Sequence, residues 1–402
     1  MNQNYFKEAM KLASFLTCKY RMRVLYILSI LLTFISCKEE NKKTNSFAFL
    51  YTIDTIRIDS HKRILDLDGN ILKSDFDNKS GSFLLFNSFD HSLDEINLDI
   101  LQFEVSYPFE IEGPNGTGKY INSIKILKDG SIFIKSYGTS GVFNKNGKLI
   151  NKVDWQKASN SITINYERTP RNEIAVLSKD LNIFGLSFNN KEKEVFLDVL
   201  SKKYNIVKRF NIDSNKSYKN FVLSIDDPSN YTYLDPYVYL NFENEMVMIS
   251  HQFSNEIYLF NPEGEFLNTI KYNPKKTLKR ASDVAHHDFQ SFELIQEEYQ
   301  KLLEQIQFGP IIWDNFNNKY YRLSASRTFN ERKEEDALLP ELKEVKVFLS
   351  VFDSEFNLIA EVKIDELNDE RVKYFAKDGK LWVAQNFNDE LCFLIIDLLD
   401  PK

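Results

Sequence analysis

Few residues of this chain have both the type and the spacing for chemistry, and the clearest of them is Cys37. Ahead of it stand Arg21 and Arg23, an apolar run of 12 residues over 24–35, and Ser36. A basic start, a short apolar stretch and a small residue just before cysteine have the form of a bacterial lipoprotein signal. Cleavage before Cys37 would free its amine, and acylation would follow on thiol and amine. The apolar run falls well short of the roughly 20 residues that a membrane-spanning helix requires. Phe34 is the one departure, standing where such signals usually carry leucine.

Lys38, Glu39 and Glu40 follow directly, and a lysine with two acids after a lipidated cysteine is similar to the export tag of surface-displayed lipoproteins. The expected location is the outer membrane, on the cell surface rather than the periplasmic face. Met22 is an alternative start, since nothing before it looks like an export element. Cutting before Cys37 leaves 46 basic and 57 acidic residues, a net charge of −11 over 366 residues. Such an acidic chain is repelled by nucleic acid and by anionic bilayers. Membrane attachment is therefore expected through the lipid alone. Of the three cysteines only Cys392 lies beyond the tether, which excludes an internal disulfide, and its apolar surroundings mark it as a small core residue.

The remaining candidates depend on the elements that hold them. After a polar tether over 41–46, the body alternates apolar runs of four to seven residues with short polar turns. Asp129-Gly130, Asn146-Gly147 and Asp378-Gly379 are tight hairpin turns, in which glycine supplies a positive φ. Asn244-Glu245, Glu263-Gly264 and Asn318-Lys319 are looser copies. Together these turns define units of four strands, clearest over 237–272. Four-stranded units repeated along a chain signal a β-propeller. The fold class is all-β, with a β-sandwich pair as the structural alternative. Six units are expected near 71–107, 121–154, 172–212, 237–272, 311–364 and 371–398, with the last one strand short. Residues 47–58 alternate and would supply that strand, closing the ring. The domain plan is a signal over 1–36, a tether over 37–46 and one propeller over 47–402.

One stretch departs from this pattern. Phe289, Phe292, Ile295, Tyr299, Leu302, Leu303 and Ile306 recur at three- and four-residue spacing, which predicts an amphipathic helix over 283–306, capped by Ser282 or Asp283 and inserted before the fifth blade. A charged loop over 326–345 would lie within that blade.

If the tight turns join first to second and third to fourth strands, they share the bottom face. The second-to-third loops and the blade crossovers then crowd the top, where propellers bind ligands. His91, His251, Arg168, Arg171, Tyr231, Tyr233, Asp235 and Tyr237 fall there and are the ligand-binding candidates. Tyrosine offers a broad surface and one hydrogen bond at low entropy cost, which suits a sugar ring or a protein hot spot. His286 and His287 with Asp283 and Glu293 suggest a metal, but adjacent histidines on a helix diverge by about 100°. Zinc needs at least three converging ligands, so no metal and no cofactor is expected. The glycines over 112–118 precede a strand rather than a helix, which fits a sharp crossover better than a phosphate cradle.

With its lipobox, its Glu112-Gly113-Pro114-Asn115-Gly116 loop after the first blade and its tyrosine pair Tyr320-Tyr321 before Arg322, the chain resembles the lipoprotein family known as domain of unknown function 4221. The resemblance spans residues 47–402 and implies a secreted six-bladed propeller lipoprotein. It carries over no catalytic residue. The expected role is a tethered binding or assembly module for a protein or glycan, the alternative being a propeller hydrolase acting on a glycan or lactone.

Overall fold

The computed structural model describes residues 50–127, 129–136, 139–153, 175–176, 183–189, 193–200, 206–212, 218–225, 232–284, 287–331, 337 and 339–399. Six four-stranded antiparallel sheets follow one another along the chain as the blades of a propeller. Five are continuous in sequence, over 74–108, 121–153, 175–211, 238–270 and 306–364. Their first strands lie innermost, where those of blades one and two, three and four, four and five, and five and six touch. Buried apolar side chains of neighbouring blades pack across the boundary between them, as Met248 and Leu259 of blade four do with Phe308 and Ile311 of blade five.

Blade six is made from both ends of the domain. Leu50–Arg57 pairs with Glu390–Leu399 in an unbroken antiparallel register, Leu50 opposite Leu399 and Arg57 opposite Cys392. Ile53 turns toward the core shared by blades five and six, and Ile56 toward that of blades six and one. This alternation lets one strand serve both neighbours, as a period of two requires. Cys392 is buried and unpaired, as a core residue.

The tight turns lie where hairpin chemistry puts them, each joining first to second or third to fourth strands. Gly130, Gly147, Gly264 and Gly379 have φ between 75° and 80°, a region open to glycine at little cost. All therefore share the bottom face. In the loop after blade one, a Cβ on Gly116 would lie 2.8 Å from the Glu112 backbone, so the crossover needs glycine there.

Two expectations for the top face require correction. The helix spans Phe292–Leu303, with Ser291 capping it by accepting from the Leu294 N–H, so the described residues 283–284 and 287–290 lie outside it. The reason is a competing pairing: Ser224 N–H donates to His287 O at 2.8 Å and Phe289 N–H to Ser224 O at 2.9 Å, which draws that stretch beside the strand Leu223–Ile225. Within the helix Ile295, Leu302 and Leu303 are buried, whereas Phe292 stays 39 % exposed and stands outside the packed stripe. Likewise, the two ends of the expected 326–345 loop are strand. Lys319–Phe329 and Leu342–Phe352 extend as one long hairpin with Arg327 opposite Val345, the backbone ladder continuing to Phe329 opposite Leu342. Blade five also begins earlier than expected, at Ile306–Asp314.

A small hairpin, Leu223–Ile225 with Thr232–Leu234, precedes blade four and was not foreseen. It joins the helix in a second apolar core. Phe221, Leu223, Ile225, Phe253, Val284, Ile295, Leu302 and Leu303 are buried together, with Phe289, Tyr299, Phe329 and Leu339 against them. The result is a cap over the top of blades four and five.

Candidate functional site at the mouth of the channel

The cap overhangs a polar cluster where Asp235, Tyr237, Tyr239, Tyr299, Arg327, Asp369, Glu370 and Arg371 come together. Asp235 and Tyr237 lead into the first strand of blade four, Val238–Glu243. Arg371 precedes the first strand of blade six, Tyr374–Lys377. Its guanidinium carbon lies 4.8 Å from the centre of the Tyr237 ring, a cation–π distance. Tyr218 donates its hydroxyl to Asp235 at 2.8 Å. Gln252 holds the segment in place: its side-chain oxygen accepts from Tyr237 N–H at 3.2 Å while its amide donates to Gln307 at 2.7 Å. Gln307 in turn donates to Leu303 O at the end of the helix, at 2.8 Å.

Below the rim the charges are buried and matched. Arg327 donates to Asp369 at 3.0 Å and also to Glu370, which is 0 % exposed. Arg371 Nε stands 3.8 Å from Glu370 Oε1, an ion-pair rather than a hydrogen-bond distance. Burial pushes the Glu370 carboxyl up, against the pull of Arg327. Burial, reinforced by Glu370, also holds the Tyr239 hydroxyl well above its usual range, so it keeps its proton as a donor. Blades five and six approach closely enough here to require Gly309, where a Cβ would come within 2.9 Å of the Tyr374 hydroxyl.

The channel beneath is narrow. Ser74, Asp75, Ser123, Lys125, Asn241, Glu243, Lys373 and Tyr374 help to line a cavity of about 160 Å³. Burial works against the charge on Asp75, yet Lys125 and Lys373, the latter donating at 2.8 Å, hold its carboxyl below the usual range. For Glu243 burial wins and raises its carboxyl to about 7, although Lys125 and the Trp313 N–H favour the charge.

The sequence candidates separate on this geometry. Asp235 and Tyr237 reach the mouth, and Tyr233 lies in the cap hairpin. His91 is buried and shares a 2.7 Å hydrogen bond with Thr117 of the glycine loop. His251 is buried too, its Nδ1 facing the Phe253 N–H at 3.3 Å, and burial drives its pKa down to about 3. Both are neutral structural groups at neutral pH. Arg168, Arg171 and Tyr231 lie outside the described residues, as do Cys37, Lys38, Glu39, Glu40 and His286. His287 faces the Val222 carbonyl at 3.0 Å, and Asp283 bonds Asn220 at 3.1 Å. These groups serve separate partners, and among the described residues no three potential ligands converge on a metal position. Arg327, Glu370 and Arg371 were missed by sequence reasoning. Glu370 and Arg371 carry one signal, position in a charged run in the crossover that enters blade six from the top; Arg327, in the second strand of blade five, carries none.

Six four-stranded blades closed by an N-terminal strand, with a capped polar mouth on the top face, define a six-bladed β-propeller. The model of the family named Domain of unknown function (DUF4221) matches residues 46–363, and the chain belongs to that family. A solved member of the same family from Bacteroides vulgatus is similar over 88 % of this chain and 99 % of its own, with a TM-score of 0.54 at 12 % identity. A putative exported protein from Bacteroides fragilis aligns over 87 % of this chain and 96 % of its own, with a TM-score of 0.49 at 10 % identity. A luciferin-regenerating enzyme aligns over 88 % and 97 %, with a TM-score of 0.41 at 8 % identity. At such identities the likeness concerns the fold alone. No curated protein matches the sequence.

The tyrosine pair before Arg322 has a structural explanation. Tyr321 donates to Asp314 at 3.0 Å, and Tyr320 stacks on Phe356 with ring centres 4.3 Å apart. Arg322, 0 % exposed, donates to Gly309 O at 2.9 Å in blade five and to Ser254 O at 3.3 Å and His251 O at 3.4 Å after the second strand of blade four. The motif stitches two blades together beneath the mouth.

Proposed function

We propose that this propeller is a binding or assembly module that docks a protein or glycan at its capped top mouth while a lipid on Cys37 tethers it to the outer membrane. The observation that carries the reading is the convergence of Tyr237, Arg371 and Asp235 beneath a cap that the propeller ring itself does not need. The channel below holds about 160 Å³, less than the roughly 300 Å³ at which small-molecule pockets begin, so a ligand would sit on the mouth. Among the described residues no helix is long and apolar enough to cross a membrane.

The hydrolase alternative has one point in its favour. Asp75 is held low and Glu243 is raised to about 7 in the same channel, and carboxyls with separated pKa values are an acid–base signature. The cavity around them leaves no room for a glycan, and binding is the better reading. The test is capture from solubilised envelopes by the acylated protein and by Tyr237→Ala. Loss of captured material in the variant is expected; equal capture by both would refute the site.

A further inference from the structure

Resting on the reading of the mouth as a binding site, we infer that its ligand presents a neutral saccharide ring, seated on Tyr237 with its hydroxyls directed at Arg371, Arg327, Tyr239 and Glu370. Charge balance is the first argument. Arg327 and Arg371 are matched by Asp369 and Glu370, with Arg327 bonded to both acids. The third acid of the cluster, Asp235, accepts from the Tyr218 hydroxyl, so among the described residues the mouth has no surplus cation to draw an anion.

The second argument is what the cluster leaves unmade. Tyr239 Oη, Arg371 Nε, Arg327 Nη1 and Glu370 Oε1 are shielded from solvent and have no hydrogen-bond partner among the described residues, Arg371 Nε and Glu370 Oε1 meeting each other only at ion-pair range, 3.8 Å. Glu370 is 0 % and Arg327 6 % exposed. Buried polar atoms are rarely left in this state without a role. The set contains three donors and one acceptor, since the Tyr239 hydroxyl keeps its proton. A carboxylate or phosphate would satisfy the donors and repel Glu370. An apolar side chain would satisfy none of them. Adjacent sugar hydroxyls both donate and accept, so one ring edge can answer the whole set.

The third argument is the platform. Tyr237 is 45 % exposed, with Arg371 stacked at 4.8 Å fixing its ring. An exposed aromatic plane beside hydrogen-bonding groups gives a pyranose its apolar C–H face and its hydroxyl edge together.

The test uses the intact protein and saccharide-observed saturation-transfer NMR, with the methyl glycosides of glucose, galactose, mannose and N-acetylglucosamine as probes up to about 100 mM, where even weak single-ring binding registers. At least one glycoside is expected to bind. Tyr237→Ala and Arg371→Met should each weaken it by about tenfold or more, with thermal melting of Tyr237→Ala unchanged because its ring lies outside the core. The methyl glucuronide should gain nothing over the glucoside. Binding by none of the probes, or binding indifferent to both substitutions, would overturn the saccharide inference. Protein capture that still depends on Tyr237 when no glycoside binds would overturn it while leaving the docking reading standing.

Discussion

Glu243→Gln offers the sharpest check on the electrostatics of the channel. Burial raises the Glu243 carboxyl from 4.5 to about 7 in the folded protein, with Lys125 and the Trp313 N–H only partly opposing it. The sign follows from the proton balance. Below pH 4.5 both folded and unfolded chains hold the proton, and nothing is lost. Between 4.5 and about 7 the unfolded chain releases it while the folded chain retains it, so stability falls as pH rises through that window. Above it the full cost applies, and at about 1.4 kcal/mol per pH unit it comes to about 3 kcal/mol. Glutamine keeps an acceptor for the Trp313 N–H and carries no charge. The variant should match the native protein near pH 4.5 and exceed it by about 3 kcal/mol near pH 8.5. At about 2.1 cal/mol/K per residue of unfolding entropy, a domain of this size would gain roughly 4 °C in Tm at the higher pH. Paired thermal melts at the two pH values measure it directly. An equal shift at both, or a loss at pH 8.5, would show that Glu243 is ionised and paired in the channel and that the reasoning is wrong.

Two further predictions concern the frame. Arg322→Met keeps much of the side-chain volume but strands the carbonyls of Gly309, His251 and Ser254 in a buried boundary between blades; a cost of about 3 kcal/mol is expected, read by urea unfolding, and a loss under about 1 kcal/mol would mean water replaces the guanidinium. Deleting residues 50–57 removes the partner of Glu390–Leu399 and opens a sheet edge, so the product should aggregate or melt early; a monomer with native stability by light scattering and calorimetry would contradict closure by this strand.

The blades were legible because hairpin chemistry is local. Asp129-Gly130 and Asp378-Gly379 mark their turns wherever they occur, and the alternation over 47–58 identified a strand, observed as Leu50–Arg57, whose partner lies at the other end of the domain. The cap was less legible because its elements are decided by tertiary contact. The helical period of Phe289 and Phe292 extends upstream of the real helix, yet a backbone pairing with Ser224 takes residues 287–289 instead. The strands Leu223–Ile225 and Thr232–Leu234 are three residues each, too short to carry a period. At the site, Tyr237 and Asp235 could be placed by counting loops. Arg327, Glu370 and Arg371 could not, since in a chain with 58 acidic and 51 basic residues a charge becomes informative only once its burial is known. His91 and His251 illustrate the converse, having the right position for a ligand group but rings turned into the core.

The pairing of Leu50 with Leu399 also governs when the fold can be finished. At synthesis rates of about 5–20 residues per second, the first strand of the domain waits roughly 20–70 seconds for the strand it must join. Until then blade six has no outer edge and the leading strand has no partner. A chain that stops one blade early can form every local hairpin and still not close. The last ladder thus acts as a proof of completeness: only a domain translated to its final strand can seal itself, and shorter products keep an exposed sheet edge.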